Sequence, residues 1–532
     1  MTFFHGVTIN EAVAGGVNVQ SVNAAVIGLV GVAPTWAISN SAATQPPLPN
    51  ALFNVNSTAA MGAMGPMIQG WSIPYALNRI LAQAGPNGVG QVLCVNVFDP
   101  TIHQTVVSAT SFTFPASGTQ FITVGHMGLV GPGLNNNSHN GSAITTTVVV
   151  TGSSGTPTYV ENTDYTVDYV NGLVYAKTGG ALTTGQTVKI SFAYADPTKV
   201  LDATLVGGVA SNVYTGISCF QLAFQTFGFS PRILIAPGFN GNPGSQDLTV
   251  AAALTTMANT LPAIALVDSV AHTTVTTALS NRSNSSSAFD TSSRRVGLCF
   301  PNENFIDNGI SPTGTTVNSS GTVTTTTIGT LQDGPYSDYV AGVWSSAIVN
   351  NGFWFSPSNK QIVGPSGPDT SIYMSATDIN SDTNNLNAAG IVTVFNGFGT
   401  GLRVWGNRSA AYPSYTDPTV FLAIRMALDV IELSIQQATL QFLDSPITVG
   451  LISNILGTVN GFVNTLIQQG ALLPGSAVLY NPGDNSATNL AGGIIVFEVN
   501  LMPPPPAENI QYNFTVNTAL LTNIAPSQPS AG

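Results

Sequence analysis

Short runs of almost unbroken apolar residues recur along this chain, with helical segments between them. Val26–Val32 reads Val-Ile-Gly-Leu-Val-Gly-Val. A strand that is apolar on both faces has to be covered on both, which is the habit of parallel strands joined by crossover helices. Ile73–Ala84 follows, with Tyr75, Leu77, Ile80 and Leu81 at helical spacing, and then a second apolar strand at Val92–Phe98. The pattern resumes at Arg232–Ala236, Ala263–Asp268 and Gly297–Phe300, with a helix predicted over Gln246–Asn259. Ser337–Asn350 is a further helix, apolar at Val340, Val343, Trp344 and Ile348. Strands alternating with helices predict a parallel sheet with crossover connections.

The pattern breaks at Asp99-Pro100. Short alternating segments run from there to Asp196-Pro197. Tyr165–Val170, Asn171-Gly172 and Leu173–Tyr175 read as a hairpin, and Asn-Gly favours a two-residue type I′ turn. Val188–Ala195 is another strand. This block is read as a β-rich domain inserted into the α/β core. In the last third, Asp417-Pro418 supplies an N-cap and a first-turn proline for a helix reaching about Leu443. Its stripe is Phe421, Ile424, Leu428, Ile431 and Ile435. Val449–Gln469 is a second helix, with Ile452, Ile455, Val459, Phe462, Val463 and Leu466 on one face and Gly470 as its stop. Gly493–Leu501 is a strand. The expected fold class is thus a mixed α+β and α/β multidomain chain: an α/β core, an inserted β-domain, and extended N- and C-terminal strand arms. The division is 1–22 (arm), 23–99 (core), 100–199 (insertion), 200–390 (central α/β domain), 391–506 (C-terminal core with two long helices) and 507–532 (arm).

Both ends raise a hydrogen-bonding problem. Val7, Ile9, Val17 and Val19 mark strand-capable segments around Gly15-Gly16. At the other end, Pro503–Pro506 impose a rigid spacer, after which Ile510, Tyr512, Phe514 and Val516 alternate with polar residues. A lone strand leaves its N–H and C=O groups unpaired and its apolar face wet. Such an arm pairs either with its own core or, by β-augmentation, with a neighbouring copy. Heterologous pairing of that kind builds rings or open helices.

Composition narrows the choice of partner. Charged residues are 7% of the chain, against about 25% in ordinary soluble domains. A surface so poor in charge suits a chain covered by copies of itself, although secreted β-rich proteins share the trait. The net charge is −12, with 12 Lys plus Arg and no basic cluster. Direct nucleic-acid binding and adhesion to an anionic membrane are therefore not expected. Ala24–Ala37 is too short to span a bilayer, so no membrane insertion is expected. The first basic residue is Arg79, so no secretory n-region is seen. Cys94, Cys219 and Cys299 sit in apolar surroundings and read as buried free thiols. His5, His103, His126, His139 and His272 show no ligand spacing, and no nucleotide-loop, zincin or nucleophile-elbow motif occurs. No enzyme activity, cofactor or metal is expected. Trp405 and Arg408 are of the types that anchor interfaces; a buried Trp with an intramolecular Arg partner is the equal alternative.

Several segments resemble one family in order. They are 22–34 (VNAAVIGLVGVAP), 231–239 (PRILIAPGF) with 265–268 (ALVD), and 351–364 (NGFWFSPSNKQIVG). Gly401–Ser409 (GLRVWGNRS) is the strongest, with Ser409 where the family pattern Trp-Gly-x-Arg-Thr has Thr. The paired helices, Gly470-Ala-Leu, 492–501 (GGIIVFEVNL) and Pro-Pro-x-Glu at 505–508 follow, and 161–172 with 188–197 resemble the family's insertion. Together they resemble contractile phage tail sheath proteins. That resemblance implies a structural subunit of the virion tail, assembled in the host cytoplasm as a homo-oligomeric helix or stack of rings. Its implied partners are a tail tube protein, a baseplate and a tail terminator. Contraction would drive the tube through the host envelope for genome ejection, without nucleotide. The alternatives are a secreted or surface β-rich adhesin-like protein and a hydrolase on the α/β core. The missing n-region and the absent nucleophile motif stand against them.

Overall fold

The computed structural model describes residues 19–38, 46–117, 120–135, 143–239, 248–317, 322–397 and 399–524. Val7, Ile9 and Val17 lie outside the described residues. The chain is a mixed α/β multidomain protein built on one eight-stranded sheet. Its spatial order is Leu52–Val55, Gln91–Asn96, Val26–Gly31, Ile233–Ile235, Ile264–Asp268, Val296–Cys299, Ile391–Phe395 and Arg403–Trp405. The inner six run parallel, in registers such as Ile27 opposite both Val92 and Ile233. The two outermost strands are antiparallel to their neighbours. Every residue of Val26–Gly31 is buried, as an all-apolar parallel strand requires.

Strand alternation sends Val26 and Val30 to one face and Ile27 and Leu29 to the other. The second face is covered by helices Ser72–Ala82, Ser337–Asn351, Leu422–Thr439 and Val449–Gln468, whose apolar residues join one core. Two of these helices approach closely at Gly342: a Cβ there would lie 2.9 Å from Ile80 Cα. Only glycine permits that approach.

The block between Asp99 and Asp196 holds only antiparallel pairings among its named strands. Gln104–Thr113 leads out and Thr187–Ala195 leads back beside it, pairing Gln104 with Ala195 and Thr113 with Thr187. Because the outgoing and returning strands pair from the base upward, the block leaves the sheet undisturbed. At the base, Asp196 accepts hydrogen bonds from Thr105 Oγ1 (2.5 Å) and from the N–H of Thr198 (3.0 Å).

Three local expectations need correction. The hairpin at Asn171-Gly172 is not a two-residue turn. Pairing ends at Asp168 and Leu173, so Tyr169–Gly172 form a four-residue loop, and of the Asn-Gly pair only Gly172 has positive φ (69°). The Asp168 carboxylate captures the N–H of Asn171 (3.0 Å), and burial of the Tyr169 ring takes that residue out of the ladder. The helix of the last third begins at Leu422, not at Pro418. Asp417 does cap a turn, but a short 3₁₀ turn over Pro418–Val420. Phe421 is then held extended by a bridge to Arg408, and Leu422 N–H donates to Asn407 O (2.8 Å). The buried face therefore runs through Leu422, Met426 and Val430, with Phe421, Leu428 and Ile435 only half-buried. Lastly, only Glu498–Asn500 of the 493–501 strand pairs, with Ala477–Leu479. Upstream, the Asn485 side chain takes both main-chain groups of Val496 (2.8 and 2.9 Å) and keeps it out of the ladder.

Candidate assembly site at the C-terminal arm

The Ala477–Leu479 and Glu498–Asn500 strands form a two-stranded ladder on the helical side of the molecule. Its two edges differ. At Val478 the outer edge is closed, because Asn460 of helix Val449–Gln468 accepts from the Val478 N–H and donates to its carbonyl, both at 2.8 Å. Glu498–Asn500 is the open edge. Leu473, Leu479, Ile494, Val496 and Val499 around the ladder are exposed apolar residues. A short ladder with one open edge is a template for strand addition.

The chain leaves this ladder through Met502, whose carbonyl accepts from Leu473 N–H (2.9 Å), and passes along the four prolines. The side chains of residues 510–521 reach into solvent. Ile510 is 68% exposed, Tyr512 76%, Phe514 93% and Val516 90%. No described residue pairs with them as a strand. At the other end, Val19 and Val22 are partly buried against the helical side, and Val22 N–H donates to Ser434 Oγ (3.0 Å).

Trp405 stacks on Phe395 (centroids 4.4 Å apart, planes at 25°) at the edge of the large sheet. Arg408 meets Glu508, the acid of the Pro-Pro-x-Glu segment. Those hydrogen bonds raise the guanidinium's pKa further above its ordinary range. A groove of about 460 Å3 lies beside them, lined by Asn359, Asp378, Asn384, Trp405, Arg408 and Asn509 among others.

Beneath these surfaces the body is braced by buried charge that sequence reasoning did not find. Arg79, on helix Ser72–Ala82, donates to Asp338 on helix Ser337–Asn351 (2.8 Å) and lies 4.2 Å from the Phe305 ring centroid. The Asp268 carboxylate, at the end of its strand, accepts from Ser337 N–H (2.6 Å) and Ser337 Oγ (2.5 Å). Arg295 and Arg425 converge on buried Asp429. Arg282 donates to five carbonyls, those of Phe289, Thr291, Ala389, Ala410 and Tyr412. The only sequence signal for this bracing is the scarcity of cations. Cys94, Cys219 and Cys299 are buried free thiols.

Burial pushes the Asp268 carboxyl up to about 7, reinforced by neighbouring Asp338 and opposed by the Ser337 hydrogen bonds. The folded state thus holds a proton there between the ordinary Asp range (about 4) and pH 7, where the unfolded chain has lost it. Its stabilising effect is complete below that range and is lost as pH rises through 7. Asp268→Asn is therefore expected to gain on the parent as pH rises. In thermal melts from pH 5 to 8, the variant-minus-parent difference should rise by several degrees, of the order that a few kcal/mol produces. A difference flat across that range would show that Asp268 does not titrate there.

The fold thus carries an open-edged ladder followed in the chain by an uncovered apolar segment at residues 510–516. A family profile described as the phage tail sheath protein central domain matches residues 214–410. The tail sheath protein of Burkholderia phage BcepMu is 33% identical over 525 residues, covering 98% of each chain. A putative prophage major tail sheath protein of Pseudomonas aeruginosa (strain UCBPP-PA14) is 27% identical over 63% of this chain and 78% of its own. Among solved structures, the contracted sheath complex of an extracellular contractile injection system, PVC, has TM-score 0.54 and 14% identity, covering 98% of this chain and 99% of its own. The contracted helical sheath of the anti-feeding prophage has TM-score 0.54 and 15% identity, covering 97% of this chain and 100% of its own. The chain belongs to the phage tail sheath protein family. It is a structural subunit of a contractile tail sheath, and the adhesin alternative is not favoured.

Proposed function

We propose that copies of this chain polymerise around a tail tube and that their arms join them into a mesh. In this reading Ile510, Tyr512, Phe514 and Val516 form a strand that adds to a neighbour's sheet. The open Glu498–Asn500 edge is the acceptor that best fits it. Val7, Ile9, Val17 and Val19 serve the same purpose from the N-terminal side, and Trp405 is an interface anchor, while Arg408 is engaged by Glu508 of its own subunit. The six-part division of the chain given above belongs to this reading: three segments build the sheet, one projects from it, and two tether. The observation that carries the reading is an alternating apolar face left almost wholly in water at Phe514 and Val516. Exposed apolar area of this kind gains about 25 cal/mol per Å2 when a partner covers it.

The same reading supplies the remaining roles. The body moves as a near-rigid unit while the arms keep the lattice connected, and contraction drives the tube through the host envelope for genome ejection. The extended lattice is kinetically trapped above the contracted one, so no nucleotide or catalytic step is involved. A tube protein, a baseplate and a tail terminator are its partners; nucleic acid and membrane are not bound directly. Subunits assemble in the host cytoplasm and end in the virion tail. Negative-stain microscopy of the purified full chain at rising concentration tests this. Helical tubes are expected; a chain that stays monomeric at every concentration would remove the reading.

A further inference from the structure

Two segments that carry the family resemblance, Trp405–Ser409 and Pro505–Glu508, are a hundred residues apart, yet the fold brings them into contact. Arg408 Nε donates to the two carboxylate oxygens of Glu508 at 2.9 and 3.0 Å, and Nη2 makes a further bond to the same group. The guanidinium lies 3.9 Å from the Tyr412 ring centroid and 5.2 Å from that of Phe421. The backbone around Arg408 is itself fixed. It bridges to Phe421, and Ser409 N–H donates to Val420 O (2.8 Å). Arg408 is thus held by stacking and backbone before it meets the acid, so little side-chain freedom is lost in forming the pair.

Glu508 stands at one particular place. The Met502 carbonyl is held by the Leu473 N–H, Pro503–Pro506 span the interval as a stiff strut, and the exposed alternating segment begins two residues after Glu508. The strut therefore has both ends fixed. A two-point guanidinium–carboxylate contact sets orientation as well as position.

We propose that Arg408 is the latch that aims the C-terminal arm. It fixes the point and direction at which the free strand leaves the subunit, so that the strand samples the space where the next copy's edge lies. This rests on the reading of the arm as an intersubunit strand. A tethered strand binds at an effective concentration set by how much of its range overlaps the acceptor. Releasing Glu508 widens that range and dilutes the strand without removing a contact between copies.

Glu508→Gln tests this on the arm itself, where it cannot disturb the core. Arg408→Glu and the exchange Arg408→Glu with Glu508→Arg complete the set. Spin labels at Thr377→Cys and Asn509→Cys, across the groove, report the arm's root in unassembled protein. The native cysteines are buried. A narrow distance distribution is expected in the parent and a broad one in both single variants. The concentration needed for tube formation should rise roughly tenfold in the single variants. The exchange should narrow the distribution again and recover part of the assembly. Single variants with the parent's distribution and the parent's assembly concentration would overturn the latch. A parent that never forms tubes would instead overturn the intersubunit reading, and the label distances would still decide whether Arg408 holds the arm.

Discussion

A chain ending at Asn509 is expected to fold like the parent and to form no ordered tubes at concentrations where the parent polymerises fully. Ile510, Tyr512, Phe514 and Val516 are largely in water, so their loss should leave circular dichroism and the melting profile unchanged. The latch at Glu508 remains in place, which separates this result from the one above. The size of the effect follows from opposing terms. Burying four large apolar side chains yields about 1.5–3 kcal/mol each. Ordering the strand costs about 1–2 kcal/mol per residue. Main-chain hydrogen bonds add about 1 kcal/mol each. A net gain of a few kcal/mol per contact corresponds to about a hundredfold or more in association, at 1.4 kcal/mol per tenfold. Sedimentation and negative stain measure it. A sharper version changes one face at a time. Phe514→Ser with Val516→Ser should reproduce the truncation, while Asn513→Ser with Thr515→Ser should not. If the truncated chain forms tubes at the parent's concentration, the strand is not what joins the copies.

What the sequence made legible divides by physical cause. The central sheet was legible because each parallel strand is a continuous apolar run, and Val26–Gly31, Gln91–Asn96 and Ile264–Asp268 all lie where that signal placed them. The paired C-terminal helices were legible because helical periodicity persists for five turns. Where side chains compete with the backbone for hydrogen bonds, the reading failed. Asp168 reshaped a hairpin, and Asn485 shortened a strand that looked nine residues long. Neither residue differs in type from dozens of other polar residues in the chain. The arm's alternation was visible, but its latch was not: Arg408 and Glu508 meet only because the last helix and the ladder return the chain to the same place. The charge deficit gained a structural counterpart as well. Each of the eight arginines bonds within its own subunit, to a carboxylate or to main-chain carbonyls.

Arg79→Met should be among the most damaging single changes to the body, with a penalty that depends on pH. Asp338 is fully buried, and Arg79 is its ion-pair partner. Burial raises the Asp338 carboxyl above its ordinary pKa, and Arg79 opposes that shift. Without the guanidinium the carboxyl rises further, and Asp268 nearby is already held up by burial. The folded variant then keeps a proton on Asp338 across a wider window than the parent does. A raised folded pKa means stability present at low pH and lost as pH rises. The penalty is thus smallest near pH 5, where the unpaired carboxyl stays neutral, and largest at pH 8. There, breaking a buried pair from one side costs about 3–5 kcal/mol. The lowest melting transition, measured in the two buffers, should fall several degrees more at pH 8 than at pH 5. Arg79→Met with Asp338→Asn leaves no charge at the pair and should recover most of the loss at pH 8. A penalty equal at both pH values, with no recovery in the double variant, would mean that shape rather than charge joins these two helices. The rigid body on which the arms depend would then owe its stiffness to packing alone.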